Sequence, residues 1–226
     1  AVGKGLRVHP GSAVLGLCDS PVNMWTGATQ GAYFHIPDLP GVLPHTFNSP
    51  PEVVVMSLMA AGMPAKEAMA TLGRVCGIIV LVSDHGDGSV AATSDGRAAI
   101  EYYFDDGDLE RTKQGMIESA RVMLAGGATT LFAPVNGLGF YDSLDAFEAA
   151  LMPTVLDDFT SYAAHPMATC RMGLDPETSV IGPSGEAHRM PGLYIADASV
   201  FPTSLGVNPQ LTTMMTATVI ARGMVS

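Results

Sequence analysis

Gly192-Leu193-Tyr194-Ile195-Ala196-Asp197-Ala198-Ser199, followed closely by Phe201-Pro202-Thr203-Ser204-Leu205-Gly206-Val207-Asn208-Pro209-Gln210-Leu211-Thr212, is the stretch whose reading decides the fold. Leu193–Ala196 is short and apolar, which predicts a strand that ends on Asp197. A carboxylate at the carboxyl edge of a strand sits where α/β folds place ligands. Asn208-Pro209 then precedes a run from Gln210 to Met224 with no proline, and no glycine before Gly223. Asparagine is a favoured helix cap and proline a favoured first helical residue, so a final helix is expected to begin at Asn208 or Pro209. The start of a helix presents open N–H groups and a partial positive charge. It can receive an anion, or a ring that becomes anionic on reduction.

Upstream lies Ala164-His165-Pro166-Met167-Ala168-Thr169-Cys170-Arg171-Met172-Gly173. The His165 imidazole is a candidate base, because the ordinary histidine titration falls near neutral pH. Taken singly, a His-Pro pair, a capping Asn and an Asp after a strand each have a plain structural reading. Their order along one segment is what marks them out.

The rest of the chain predicts mixed structure. Leu6–Leu17 alternates and carries glycine and proline, as a bent strand would. Residues 19–51 are rich in Pro, Gly and aromatics and read as long loops, with short strands around Gly31–Ile36. Glu52–Leu58 is β-branched and strand-like. A helix is expected over Pro64–Val75, with Gly77 ending it. Ile78–Ser83 follows as a buried strand. Asp87-Gly88 is a hairpin signal returning Ser89–Ala92 antiparallel, and Arg97–Phe104 is a third strand. Asp108 is placed to cap a long helix over Leu109–Ala125, whose Leu109, Met116, Ile117, Ala120, Met123 and Leu124 share one face. Gly126-Gly127 stops it. Ser143 caps a short helix over Leu144–Leu151.

Composition narrows the function classes. Apolar residues make up 47% of 226, enough for a buried core and against disorder. The net charge is −11 with no basic cluster, which excludes nucleic acid as an expected partner. The apolar runs Val53–Met63 and Ile78–Val82 fall short of the roughly 18 residues of a spanning helix, so a soluble chain is expected. Three cysteines, Cys18, Cys76 and Cys170, with no Cys-x-x-Cys, point to neither a disulfide framework nor a zinc site and fit a reducing compartment. His9 reads as satisfying a local hydrogen bond, and His35, His45, His85 and His188 as loop residues. The chain begins Ala1-Val2-Gly3-Lys4-Gly5, as if in mid-protein.

Together, residues 164–173, 192–199 and 201–212 resemble the C-terminal signature of the glucose–methanol–choline (GMC) oxidoreductase family. Ala168 stands where that family commonly has glycine. Val2–Pro10 is similar to the strand that leaves the family's flavin domain. Leu81–Gly88 and Leu109–Ala125 resemble the long-chain fatty alcohol oxidase branch, which typically carries Asn at the place of Asn208. The resemblance implies an α/β and α+β fold: the C-terminal part of a Rossmann-like FAD-binding domain plus an antiparallel-sheet substrate domain. The segments would be 1–18 as the end of a flavin-domain stretch, 19–158 as substrate domain, and 159–226 as the C-terminal portion of the FAD-binding domain.

It further implies FAD as cofactor and an alcohol as substrate, with a hydrophobic primary alcohol favoured over a sterol or sugar alcohol. His165 would act as base and Asn208 would position the substrate oxygen. Asp197, Ala198, Asn208, Pro209, Gln210 and Leu211 would lie against the cofactor, and no metal is implied. The dinucleotide fingerprint Gly-x-Gly-x-x-Gly is missing, since Gly137-Leu138-Gly139 continues with Phe140-Tyr141-Asp142. The resemblance therefore implies an N-terminal half that carries the fingerprint, as a separate chain or a cleaved segment. A non-catalytic lipid-binding or regulatory module derived from the same family is the alternative.

Overall fold

Where the chain places its elements follows from which apolar positions it can bury. The computed structural model describes residues 1–160 and 163–225. In chain order the elements are β1 (Gly11–Cys18), β2 (Val42–Thr46), α1 (Pro51–Ala60), α2 (Ala65–Thr71), β3 (Val75–Val82), β4 (Asp87–Ala92), β5 (Ala98–Tyr103), α3 (Asp106–Ala125), β6 (Ala128–Phe132), α4 (Leu144–Leu151) and α5 (Gln210–Gly223). They fall into two compact units. The first gathers Ala1–Pro10, Ser83–Asp108 and Ala163–Ser226, and the second Gly11–Val82 and Leu109–Tyr162.

The second unit is built on a four-stranded sheet in the order β2-β3-β1-β6, antiparallel at every pairing. Alternation along the strands splits its side chains between two faces. Val14, Val42, Ile78, Val80 and Val82 pack with Met116, Ile117, Ala120 and Met123 of α3. Leu15, Val75 and Phe132 pack on the other face with Val54 and Leu58 of α1 and Ala68 of α2. Each such side chain contributes about 1.5–3 kcal/mol on leaving water. An apolar cavity of about 360 Å³ in this unit is bordered by Ala13, Leu15, Phe47, Val53, Val54 and Pro134.

Several expectations are corrected here. Glu52–Leu58 is helical, within α1. Pro51 stands in the first turn with Glu52, and the buried residues are Val54 and Leu58. Those two are four apart, the repeat of a helix, so core insertion overrides the β-branched run Val53-Val54-Val55. The next helix ends at Thr71 and gives way to a 3₁₀ turn over Leu72–Arg74. Gly77 lies inside β3, where a Cβ would stand 2.8 Å from Phe47 Cε1 and 2.9 Å from Leu15 Cδ2. It is a close-packing glycine, not a helix stop. The 19–51 stretch contains β2, and near Gly31–Ile36 there is a single bridge, Tyr33 to His45. His45 is therefore a buried strand residue, not a loop residue.

In the first unit the hairpin turns elsewhere than expected. β4 pairs with β5, Asp87 opposite Tyr103 through Ala92 opposite Ala98. The turn is Thr93–Arg97, with Gly96 at φ +81°. Asp95-Gly96 supplies the hairpin chemistry that was assigned to Asp87-Gly88. α3 begins at Asp106, so Asp108 sits in its first turn and does not cap it from outside. Two expectations hold as drawn: Ser143 Oγ caps α4 by accepting the Ala146 N–H at 3.3 Å, and Gly127 leaves α3 at φ +99°. Among the described residues no helix is long and apolar enough to cross a membrane.

Two predictions follow from local geometry. The Cys18 and Cys76 sulfurs lie 3.6 Å apart on neighbouring strands. Burial, with the neighbouring Cys18 sulfur, pushes the Cys76 thiol up from 9.0 to about 12. Its folded value lies above its unfolded one, so its contribution to stability is complete below pH 9.0 and is lost as pH rises towards 12. At pH 8 iodoacetamide should leave Cys76 unmodified until urea unfolds the protein, as read by peptide mass mapping; labelling of Cys76 in the folded protein at the rate of Cys170 would refute this. The second concerns Ala168, fully buried at φ +72°. A left-handed backbone costs a non-glycine residue about 1–2 kcal/mol, which offsets a buried methyl worth about 0.8 kcal/mol and the flexibility of glycine. Denaturant melts should therefore show Ala168→Gly within about 1 kcal/mol of the parent and Ala168→Val destabilised by more than about 2 kcal/mol.

Candidate active site

The three signature segments converge in the first unit. Arg7 and Met167 form an antiparallel bridge, with N–H to carbonyl distances of 3.1 and 2.7 Å. Residues 168–172 then run beside 198–200. Cys170 N donates to Ser199 O at 2.9 Å and Met172 N to Val200 O at 2.8 Å. Beneath them Met167, Ala168, Ile181, Ala187, Val200 and Phe201 form one buried cluster, against which Met172, Ile195, Ala198 and Leu205 pack. All three segments contribute to it, so the flanks of His165, Asp197 and Asn208 are anchored in one core.

Leu193–Ala196 is not the expected strand. Tyr194 alone forms a bridge, to Glu186. The flanking backbone bonds go to the turn at 185–187: Ala187 N donates to Leu193 O at 2.8 Å and Ile195 N to Gly185 O at 3.0 Å. Asp197 still ends the stretch. It is exposed, and its Oδ1 accepts the Ser199 N–H at 2.8 Å to start a 3₁₀ turn over Ala198–Val200.

The last helix also departs from expectation. α5 starts at Gln210, with Pro209 at the cap position and no side-chain cap. Asn208 therefore does not spend its amide on capping. Proline at 209 has φ −81° and ψ −3°, and its carbonyl takes the Thr213 N–H at 2.8 Å. The helix thus begins one residue after the Asn-Pro pair. Asn208 is half-buried, Pro209 buried, and Gln210 and Leu211 are exposed. A 14-residue helix with an uncapped start and exposed first residues offers its N–H groups outward. That end fits an anionic ring edge of the kind a flavin presents.

The loop 83–86 supports both candidate catalytic segments. Asp84, 3% exposed, accepts the N–H groups of Val8 and His9 at 3.2 and 3.1 Å and the Tyr102 hydroxyl at 2.7 Å. Asp108, fully buried, accepts the N–H groups of His85 and Gly86 at 2.7 and 3.2 Å and contacts His85 Nδ1 at 3.1 Å. Ser83 lies under Gly206, where a Cβ would stand 3.5 Å from its own Cβ. Gly206 takes φ +70°, a conformation open to glycine, and leads to Asn208. His165 is half-buried, and its ring centroid is 5.4 Å from that of His9.

His9, Asp84, Tyr102 and Asp108 are absent from the sequence-based site. His9 is fully buried, and its ring lies against that of His165. A cavity of about 640 Å³ in the same unit borders Cys170, His188, Met190, Leu193 and Ile195, and its lining includes neither His165 nor Asn208. Among the described residues no group of three or more His, Cys, Asp or Glu could hold a metal ion.

A family model described as GMC oxidoreductase matches residues 84–217. A long-chain-alcohol oxidase of Arabidopsis thaliana is 32% identical over 178 residues, 72% of this chain and 23% of that protein. An uncharacterized GMC-type oxidoreductase of Mycobacterium tuberculosis is 26% identical over 221 residues, 97% of this chain and 35% of its own length. The chain thus spans about a third of the length of that relative. Among solved structures, pyridoxine 4-oxidase from Mesorbium loti aligns with a TM-score of 0.66 at 18% identity, covering 98% of this chain and 43% of that one. A formate oxidase aligns with a TM-score of 0.69 at 16% identity, over 99% and 47% of the two chains. The match over residues 84–217, which takes in all three converging segments, shows that the chain belongs to the GMC oxidoreductase family.

Proposed function

We propose that the chain is the catalytic half of an FAD-dependent enzyme that oxidises an alcohol to an aldehyde or ketone. The observation that carries the reading is the convergence of the His165, Asp197 and Asn208 segments on one buried cluster, with an uncapped helix start directly after Asn208-Pro209. When bound, FAD supplies the hydride acceptor at its N5. Everything else falls to side chains of this protein. His165 takes the hydroxyl proton on its imidazole as the alcohol is oxidised. Asn208, free of capping duty, donates its amide to the substrate oxygen and sets its distance from His165. The start of α5, with Gln210 and Leu211, faces the cofactor and favours negative charge there. Asp197 and Ala198 line the same cofactor. An N-terminal half with the dinucleotide fingerprint completes the FAD site, with residues 159–226 as the C-terminal portion of that domain.

The substrate proposed is a hydrophobic primary alcohol. The named relatives include long-chain-alcohol oxidases.

In the assembled, flavin-loaded protein His165→Ala should lower kcat/KM for an alcohol by roughly 100- to 10,000-fold with flavin content unchanged. Steady-state kinetics and the flavin absorbance ratio measure both, and an undiminished rate would refute the role. Asn208→Ala should lower kcat by roughly 100-fold. Across a series of straight-chain primary alcohols kcat/KM should rise by about fourfold per methylene until the chain is fully buried, from about 0.8 kcal/mol per buried CH₂. A flat series would point away from an aliphatic substrate.

A further inference from the structure

His9 and His165 lie two residues to either side of one backbone bridge. In an antiparallel pair, the residue two beyond one partner stands opposite the residue two before the other. The bridge between Arg7 and Met167 is a single pairing, and it brings the backbone near His9 to that near His165. The two rings meet beside it, with centroids 5.4 Å apart and planes at 44°, inside the range of favourable ring contacts.

The backbone at His9 is held against its own preference. His9 has φ +52°, a left-handed conformation, and it precedes Pro10, which disfavours helical-type backbone at the residue before it. Strain of this kind persists only where the surroundings over-determine it, and it clusters at functional sites. The surroundings here are explicit. The Asp84 carboxylate takes the N–H groups of Val8 and His9, and the Tyr102 hydroxyl donates to the same carboxylate. Burial and the Asp84 contact push the Tyr102 hydroxyl far above its ordinary range, so it stays a donor. Asp84 and His9 are both at least nine-tenths buried. The result is a fixed backbone at His9, held from Tyr102 through Asp84, which carries a fully buried ring lying against the half-buried His165 imidazole.

Resting on the reading of His165 as base, we propose that His9 is a positioning residue that fixes the plane of the His165 ring, with Asp84 and Tyr102 holding His9 in place. Histidine is needed at position 9 for its ring; the backbone there would accept asparagine, which tolerates a left-handed conformation.

The test is His9→Asn in the full protein, read by side-chain ¹H–¹⁵N histidine spectra, thermal melting and steady-state kinetics. The expected result is a folded protein in which the His165 ring resonances move and broaden. In the flavin-loaded form kcat should fall by roughly 100-fold, as for a small misplacement of a catalytic group, with KM within about twofold. Tyr102→Phe, which leaves both rings intact, should move the same resonances by less; it also decides the matter if His9→Asn does not fold. His165 resonances unchanged in the folded variants would overturn the proposal. If the parent protein oxidises no alcohol, the functional reading fails, and the spectra still decide whether His9 orients His165.

Discussion

The Asp84 carboxylate is the constraint on which the candidate site depends. A buried carboxylate is costly unless its oxygens are satisfied, and here two backbone N–H groups and a tyrosine hydroxyl satisfy them. Those donors come from separate stretches, residues 8–9 and residue 102. One side chain thus ties the amino-terminal segment to the β4–β5 hairpin. The Arg7–Met167 bridge carries that order on to the His165 segment. Removing the carboxylate would strand two N–H groups in the interior as well as release His9.

Asp108 performs the matching task a few residues away. It fixes His85 and Gly86 through their N–H groups, so the loop from Ser83 to Gly86 is held by its own Asp84 contacts and by the start of α3. That loop touches the Asn208 side through Ser83 and Gly206, and the His165 side through Asp84. A short loop fixed by two buried carboxylates, its own Asp84 and Asp108 of α3, thereby lies against both segments proposed to act on substrate.

What was legible in the sequence divides along local and non-local lines. The segments 164–173, 192–199 and 201–212 were readable because their order is a pattern within one stretch. The α3 face and the Ser143 cap were readable because helix periodicity and capping act over a few residues. The strand assigned to Glu52–Leu58 failed because β-branched composition is a weak preference, outweighed once Val54 and Leu58 insert into a core made by distant residues. The hairpin slipped because Asp-Gly occurs at both 87–88 and 95–96, and only the pairing partner Ala98–Tyr103 decides between them. The helix start at Asn208 missed by one or two residues, the usual uncertainty of an end, yet the difference matters chemically: it leaves the asparagine amide available. His9 had no local signal at all. Its importance lies in register with a residue far along the chain.

Two non-glycine residues of the first unit with left-handed backbone, His9 and Ala168, flank the same bridge. His9 lies two residues beyond Arg7, and Ala168 directly follows Met167. Each conformation costs about 1–2 kcal/mol, so the strain is concentrated beside the Arg7–Met167 bridge. At Ala168 glycine would remove the strain but lose a buried methyl and add backbone freedom, and the side chain is a methyl that does no chemistry. At His9 glycine would remove it too, but with it the ring that meets His165. The same backbone requirement thus has two explanations: at position 168 the conformation is a feature of the turn alone, and at position 9 it delivers a particular side chain. A strained histidine held by a buried carboxylate is an expensive way to fill space, and that expense is the physical ground for assigning its ring a task.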